Sequence, residues 1–284
     1  MSTAGRQDLR TRLQILVDDQ VPAGLISEHG FSLWIEHGSR RLLFDAGLGQ
    51  AVLANAQALG CDLGTVDTVL LSHGHYDHGG GLAGVLPLMP QARLVTHPAC
   101  LRRRYSVRPG AVKDISLPDP VQAAVRHWPA QRRVMARAAV DLGDGLEVSG
   151  AIARTSAFED VGGPFFLDPT GHHPDDLMDD IALTIDLPQG LVVCVGCAHA
   201  GIINTLHQVR RRHPGRPVHT VIGGLHLLQA GPERLRRSAA ALARIDPQRV
   251  VACHCTGALA IQVLHKRLGE RVITGQAGMV IDTW

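Results

Sequence analysis

The chain has 284 residues and a formal net charge of +2 at pH 7. That length suits one large α/β or β-sandwich domain, and so small a charge gives no reason to expect nucleic acid or a membrane surface as partner. Hydrophobic residues make up 45% and aromatics 4%, enough for a core but not for a stacking platform on single-stranded nucleic acid. No uncharged apolar run is long enough to span a bilayer. The opening "MSTAGRQDLRTRLQILV" lacks the apolar stretch and cleavage site of a signal peptide. Six cysteines are too few for a disulfide scaffold in a chain of this length, so a reducing cytoplasm is the expected setting.

Taken in chain order, apolar segments of strand length fall at 13–17, 31–36, 41–47, 67–73 and 93–97, and again at 181–187, 191–196, 219–224 and 249–254. Their valine and isoleucine content, with Gly or Pro nearby, favours strand over helix. "QAVLANAQALG" sets Val52, Ala56 and Leu59 on one helical face and stops at Gly60, a residue suited to the left-handed position after a helix. "GPERLRRSAAALARI" starts near Pro232, spaces Leu235, Ala239 and Leu242 helically, and turns its arginines mainly to other faces. "ALAIQVLHKRL" has the same character. Each half thus carries extra strands at its start and then strands followed by helices. The expected fold is α/β, with two sheets packed face to face and helices outside. Residues 1–284 are read as one domain with a loop-rich insertion around 100–180, expected to act as a lid or substrate loop, or else to lie as a surface insertion.

The densest chemistry lies in "LLSHGHYDHGGGL". It places His73, His75, Asp77 and His78 on the end of an expected strand and the turn after it. Imidazole and carboxylate suit zinc, iron or manganese better than calcium. Ligands at i and i+2 can meet on one metal, and those at i+4 and i+5 can reach a second. Two metals about 3.5–4 Å apart would clamp an ester or phosphate. The glycines after His78 are expected to let backbone pass close to the site and to permit an unusual turn. One loop rarely completes such a site, so further ligands are expected at later strand ends: Cys197 and His199 in "VVCVGCAH", His226 in "VIGGLHL", and His254 in "VVACHCTG".

"SHGHYDHGGGL" and "LLFDAG" resemble the metallo-β-lactamase superfamily. The resemblance implies an αββα four-layer sandwich with a binuclear metal centre at the edge of the two sheets. "EHGFSLWIEHGSRRLLFDAG", "GCAHAGIINTL", "GGLHLL" and "CHCTG" further resemble the branch of 7,8-dihydropterin-6-methyl-4-(β-D-ribofuranosyl)aminobenzene-5′-phosphate synthases, which join a dihydropterin diphosphate to a ribosyl-aminobenzene phosphate. By position, the likeness implies His73 and His75 on a first metal, Asp77 and His78 on a second, and His254 as the last histidine ligand. Asp77 is also expected to act in catalysis by orienting the attacking water. Many members carry a metal-bridging Asp where this chain has Cys197. A thiolate can ligate or bridge zinc, but His199 is the first expectation there. No histidine stands at the usual mid-chain position; Asp180, or His172 and His173, are candidates to fill it.

Other residues are weighed by chemistry. Cys194 and Cys197, with Cys253 and Cys255, offer a structural zinc site as a rival reading, but strand alternation turns Cys194 away, toward the core. His226 is a candidate metal or substrate contact. Asp45 is expected to orient a ligand histidine. Arg102, Arg103, Arg104 and Arg108 form a basic cluster, with Arg103 and Arg104 as candidate phosphate contacts. Phe165 and Phe166 are expected in the core rather than in a ring-binding pocket.

The functional expectation is a binuclear metal-dependent hydrolase or transferase acting on a phosphorylated, anionic small molecule. Two divalent ions are expected, zinc first, with manganese, iron or magnesium as alternatives. The rivals are a di-iron redox enzyme or sulfur dioxygenase on the same fold, and a non-catalytic metal- or ligand-binding regulator.

Overall fold

The computed structural model describes residues 10–283. Of the segment 1–17, read as neither leader nor anchor, the first nine residues lie outside them. In chain order the first strands are β1 (Thr11–Val17), β2 (Ser32–His37), β3 (Arg40–Phe44), β4 (Thr68–Leu71), β5 (Arg93–Thr96), β6 (Tyr105–Arg108), β7 (Ala111–Asp114) and β8 (Arg133–Met135). The later ones are β9 (Val140–Gly143), β10 (Leu146–Val148), β11 (Phe165–Phe166), β12 (Ala182–Leu187), β13 (Gly190–Val195), β14 (Val218–Gly224), β15 (Arg249–Cys253), β16 (Val272–Thr274) and β17 (Val280–Thr283).

Two seven-stranded sheets result. The first runs β17–β1–β2–β3–β4–β5–β8 and the second β16–β15–β14–β13–β12–β10–β9. In each, an antiparallel part adjoins a parallel part: β3, β4, β5 and β8 are parallel in one, and β13 to β16 in the other.

Strand alternation sorts the side chains. Leu42 and Phe44 of β3 face the same central core as Ile185, Val192, Cys194, Ile222 and Val251 of the second sheet. Leu43, between them, faces outward onto α1 (Ala51–Ala58) and the helices α2 (Tyr76–Gly79), α3 (Leu82–Val85) and α4 (Asp119–His127) on that side, in a core with Val52, Ala56, Val85 and Val121. Val193 and Val221 face the opposite way, onto α5 (Ile202–Arg212), α6 (Pro232–Ile245) and α7 (Ala258–Leu268). Successive residues of these strands are buried on opposite faces, which makes the layers helix, sheet, sheet, helix, as expected. Cys194 is fully buried in the central core, away from Cys197, as its place along the strand implied. Gly60, after α1, has φ +71°, the left-handed conformation expected there.

Two local differences stand out. Arg234 of α6 is buried rather than solvated, and its guanidinium pairs with Asp160. The 100–180 stretch forms α4 and joins the main sheets through β8, β9 and β10, short strands whose patterns carry little signal. Its remaining strands make a small sheet, β11–β6–β7, beside the cleft described next.

Candidate metal centre

The chemistry-bearing side chains sit on segments that leave the ends of parallel strands on one edge of the two sheets. His73, His75, Asp77 and His78 follow β4; Cys197 and His199 follow β13; His226 follows β14; His254 and Cys255 follow β15. Turns at the carboxyl ends of parallel strands are where such sheets place ligand sites. Several turns use strained backbone. Asp45, Ala198, His226 and His254 all have positive φ, between +43° and +59°, a conformation that costs non-glycine residues on the order of 1 kcal/mol or more and gathers at functional sites.

Two donor groups meet at one sulfur. In the first, donor atoms of His73, Cys197 and His199 lie within 4.8 Å of one another. His75 adds Nδ1, 3.0 Å from His73 Nε2. In the second, His78, Cys197 and His254 meet the same limit, with His78 Nε2 3.0 Å from Cys197 Sγ. Asp77 Oδ2 lies 3.5 Å from His254 Nε2. The structure thus brings together all six expected ligands and puts Cys197 between the two sets. His199, expected in place of the bridging aspartate, stands beside His73 and His75, its ring centroid 4.7 and 4.9 Å from theirs.

The set fits metal ions. Nε2 of His199 is buried with no hydrogen-bond partner, its Nδ1 being taken by the Val161 carbonyl, and a buried polar nitrogen left unpaired costs about 1–3 kcal/mol. Burial holds His73, His75 and His199 well below the ordinary histidine range, against a smaller upward pull from Asp77 on His75. Neutral imidazole is the ligating form. His254 is drawn the other way: burial lowers it, but Cys255, Asp19 and Asp77 raise it well above the ordinary value. Asp77 is pushed up by burial, yet His254, His78 and His75 hold it far below the usual carboxylate range.

Supporting contacts fix the rings. Asp45 Oδ2 lies 2.7 Å from His78 Nδ1 and accepts the Ser72 hydroxyl, while Oδ1 accepts the Ser72 N–H. This aims His78 Nε2 at Cys197, in the way outer carboxylates orient ligand histidines. Asp19 Oδ1 does the same for His254 at 2.9 Å, and the Val161 carbonyl for His199 at 2.9 Å. Asp19 and His29, which lies 3.4 Å from Asp77 Oδ2, carry no motif in the sequence and were not anticipated.

Asp180 belongs to none of these donor groups. It accepts the Ala200 N–H at 2.6 Å, and burial lifts its carboxyl to about 7. His172 and His173 are exposed and bond within their own loop, to Thr170 and Asp168, so neither fills the mid-chain position. The glycines after His78 correct a second expectation. Gly80 and Gly81 have ordinary helical φ, −54° and −73°. Their role is close approach alone: a Cβ on Gly80 would fall 2.4 Å from the Leu48 carbonyl, and one on Gly81 2.2 Å from that of Ala46.

The basic cluster divides. Arg104 is fully buried, bonded to Asp175 at 2.6 Å and to both oxygens of Asp179 at 2.5 and 2.8 Å, so it cannot meet a substrate phosphate. Arg103 is exposed but paired with Asp114 and Asp119, outside the cleft. The cleft over the donors, about 260 Å³, is instead lined by Arg108 and Lys113 of the small sheet, with Tyr76, Asp77 and Phe165. Arg108 bonds Gln229 at 2.9 Å, and Lys113 bonds the Tyr76 hydroxyl at 2.5 Å. Phe165, expected in the core, stands 5.4 Å from the rings of both His75 and His199.

Residues 27–254 match the family model of the metallo-beta-lactamase superfamily. Among curated proteins, the chain is 27% identical over 269 residues to 7,8-dihydropterin-6-methyl-4-(β-D-ribofuranosyl)-aminobenzene-5′-phosphate synthase of Methanocaldococcus jannaschii, covering 90% of each chain. Among solved structures, it is 27% identical to a metal-dependent hydrolase of the beta-lactamase superfamily, with a TM-score of 0.80 over 96% of this chain and 99% of that one. It also shares the fold of zinc-bound PqqB from Methylobacterium extorquens, at 15% identity and a TM-score of 0.59 over 96% of this chain and 100% of that one. With its αββα layers and its histidine-rich sheet edge, this chain belongs to the metallo-β-lactamase superfamily.

Proposed function

We propose that the chain is a binuclear metal-dependent enzyme, a hydrolase or transferase acting on a phosphorylated small molecule. The observation that carries this reading is the meeting of two donor sets at Cys197 Sγ. His73, His75 and His199 would hold one ion and Asp77, His78 and His254 the other, with Cys197 between them. Zinc is the first candidate, because a thiolate and five imidazoles favour it over magnesium. Bound there, the ions supply Lewis acidity to the reacting ester or diphosphate and offset charge on its leaving group.

The chain's own residues provide the rest. Asp19 and Asp45 keep the His254 and His78 rings in place. Asp77 faces the cleft and is placed to orient an attacking water or acceptor. Arg108 and Lys113 have no carboxylate partner among the described residues, and they suit the phosphate of a substrate. Phe165 gives the cleft a flat apolar wall for a ring. The synthase relative, named for a product that carries a phosphate, supports the transferase reading; the hydrolase relative supports attack by water.

A panel of phosphoesters and diphosphates, with and without acceptor amines, tests the reading. Turnover should disappear on chelation, return with zinc or manganese, and be absent in His75→Ala. Turnover indifferent to chelation or to that substitution refutes it. Bound iron with oxygen consumption would replace it with redox chemistry.

A further inference from the structure

Cys255 lies outside both donor sets. Its Sγ is 3.2 Å from Cys197 Sγ. Together with His226 these residues form a third group whose donor atoms all lie within 4.8 Å of one another. The cysteines are 2% and 6% exposed, and both line the cleft. His226 Nδ1 is buried without a hydrogen-bond partner. Two features hold the ring where it is, a strained backbone and a close approach that only glycine allows. His226 takes φ +47°, and Gly162 comes so close that a Cβ there would sit 1.8 Å from His226 Cδ2. Strain that fixes a donor beside two sulfurs indicates a ligand rather than packing.

We propose that Cys197, Cys255 and His226 form a third metal position, selective for a thiophilic ion such as zinc, beside the two-metal centre. Two sulfurs and one imidazole make a soft set of the kind that binds zinc in preference to magnesium, manganese or calcium. The group overlaps the other two only at Cys197, whose thiolate can bond more than one ion. The inference rests on the preceding reading in taking Cys197 as a metal ligand. It goes further in giving Cys255 and His226 a metal of their own. The centre would then demand thiophilic metal even where manganese or magnesium can occupy the flanking sets.

Cobalt titration of the full-length apo-protein under reductant tests this. Cobalt per chain is measured after desalting, and sulfur-to-cobalt charge-transfer absorbance is followed. Cys255→Ser and His226→Gln should each bind about one equivalent fewer than the wild type. Cys255→Ser should also lose charge-transfer intensity, while both variants keep the wild-type circular dichroism. Two variants are used so that a folding failure in one leaves the other to decide. Equal cobalt content in the wild type and both variants would overturn the proposal and leave the two-metal reading standing. A Cys197–Cys255 disulfide that persists under reductant would also overturn it. Absence of bound cobalt in the wild type would overturn both.

Discussion

Replacing Arg104 with methionine leaves two aspartates facing each other in the interior. Asp175 and Asp179 are 3% and 0% exposed, and the arginine between them is 0% exposed. Each carboxylate keeps one backbone partner, Leu177 N–H for Asp175 and Gly74 N–H for Asp179, but neither keeps a cation at bonding distance. Breaking a buried ion pair from one side costs about 3–5 kcal/mol, because the remaining charge stays out of water. For a chain of this size each kcal/mol moves Tm by about 2 °C, so Tm should fall by about 6–10 °C. Gly74 lies between His73 and His75, so the same substitution should also weaken metal binding by loosening the His-x-His loop. Thermal unfolding, with a chelator competition for metal affinity, measures both. A Tm within about 2 °C of wild type at pH 7 would refute the view that this triad secures the loop.

Three further outcomes follow from contacts outside the donor sets. Glu28 accepts four backbone N–H groups, from Leu48, Gly49, Gln50 and Ala51, at the start of α1; Glu28→Ala should lower stability by about 2–4 kcal/mol in chemical denaturation, and less than about 1 kcal/mol would show that water replaces the carboxylate. Asp45→Asn should reduce metal affinity by about 10–100-fold in chelator competition, and unchanged affinity would show that His78 needs no orienting carboxylate. Glu147 is held below the usual carboxylate range, first by its hydrogen bonds to Arg212. A depressed folded value means stabilisation that is present above the unfolded pKa and lost as pH falls. With Arg212 43% exposed, Glu147→Gln should cost under about 1 kcal/mol at pH 7 and nothing near pH 3; a difference that grows toward acid would contradict the sign.

The parts of the centre that are contiguous in sequence are the parts that sequence made legible. His73, His75, Asp77 and His78 fall within one turn, and Cys197, His199 and His254 each follow a valine-rich strand. What was hidden is tertiary. Arg104 and Arg103 are adjacent in "RRRY", and nothing local distinguishes the one that is buried. Its partners lie 71 and 75 residues away. Asp19 and His29 belong to no motif and reach the site because β1 and β2 deliver them to its edge. Lys113 and Phe165 come over the cleft only because β7 and β11 pair with β6 in the small sheet. The αββα layering was legible because the main strands are near-continuous apolar runs, buried on both faces, with helical patterns between several of them, whereas β8, β9 and β10 are three or four residues long and show no such run.

The central claim is that two donor sets share Cys197, and it is tested most directly by counting metal. Protein purified without chelator or affinity metal, then reloaded with zinc, is compared with His199→Ala and His254→Ala by elemental analysis. The account predicts that each variant binds about one zinc per chain fewer than the wild type and keeps the rest, because each substitution opens one set only. Unchanged zinc in both variants, or no zinc in the wild type, would contradict it.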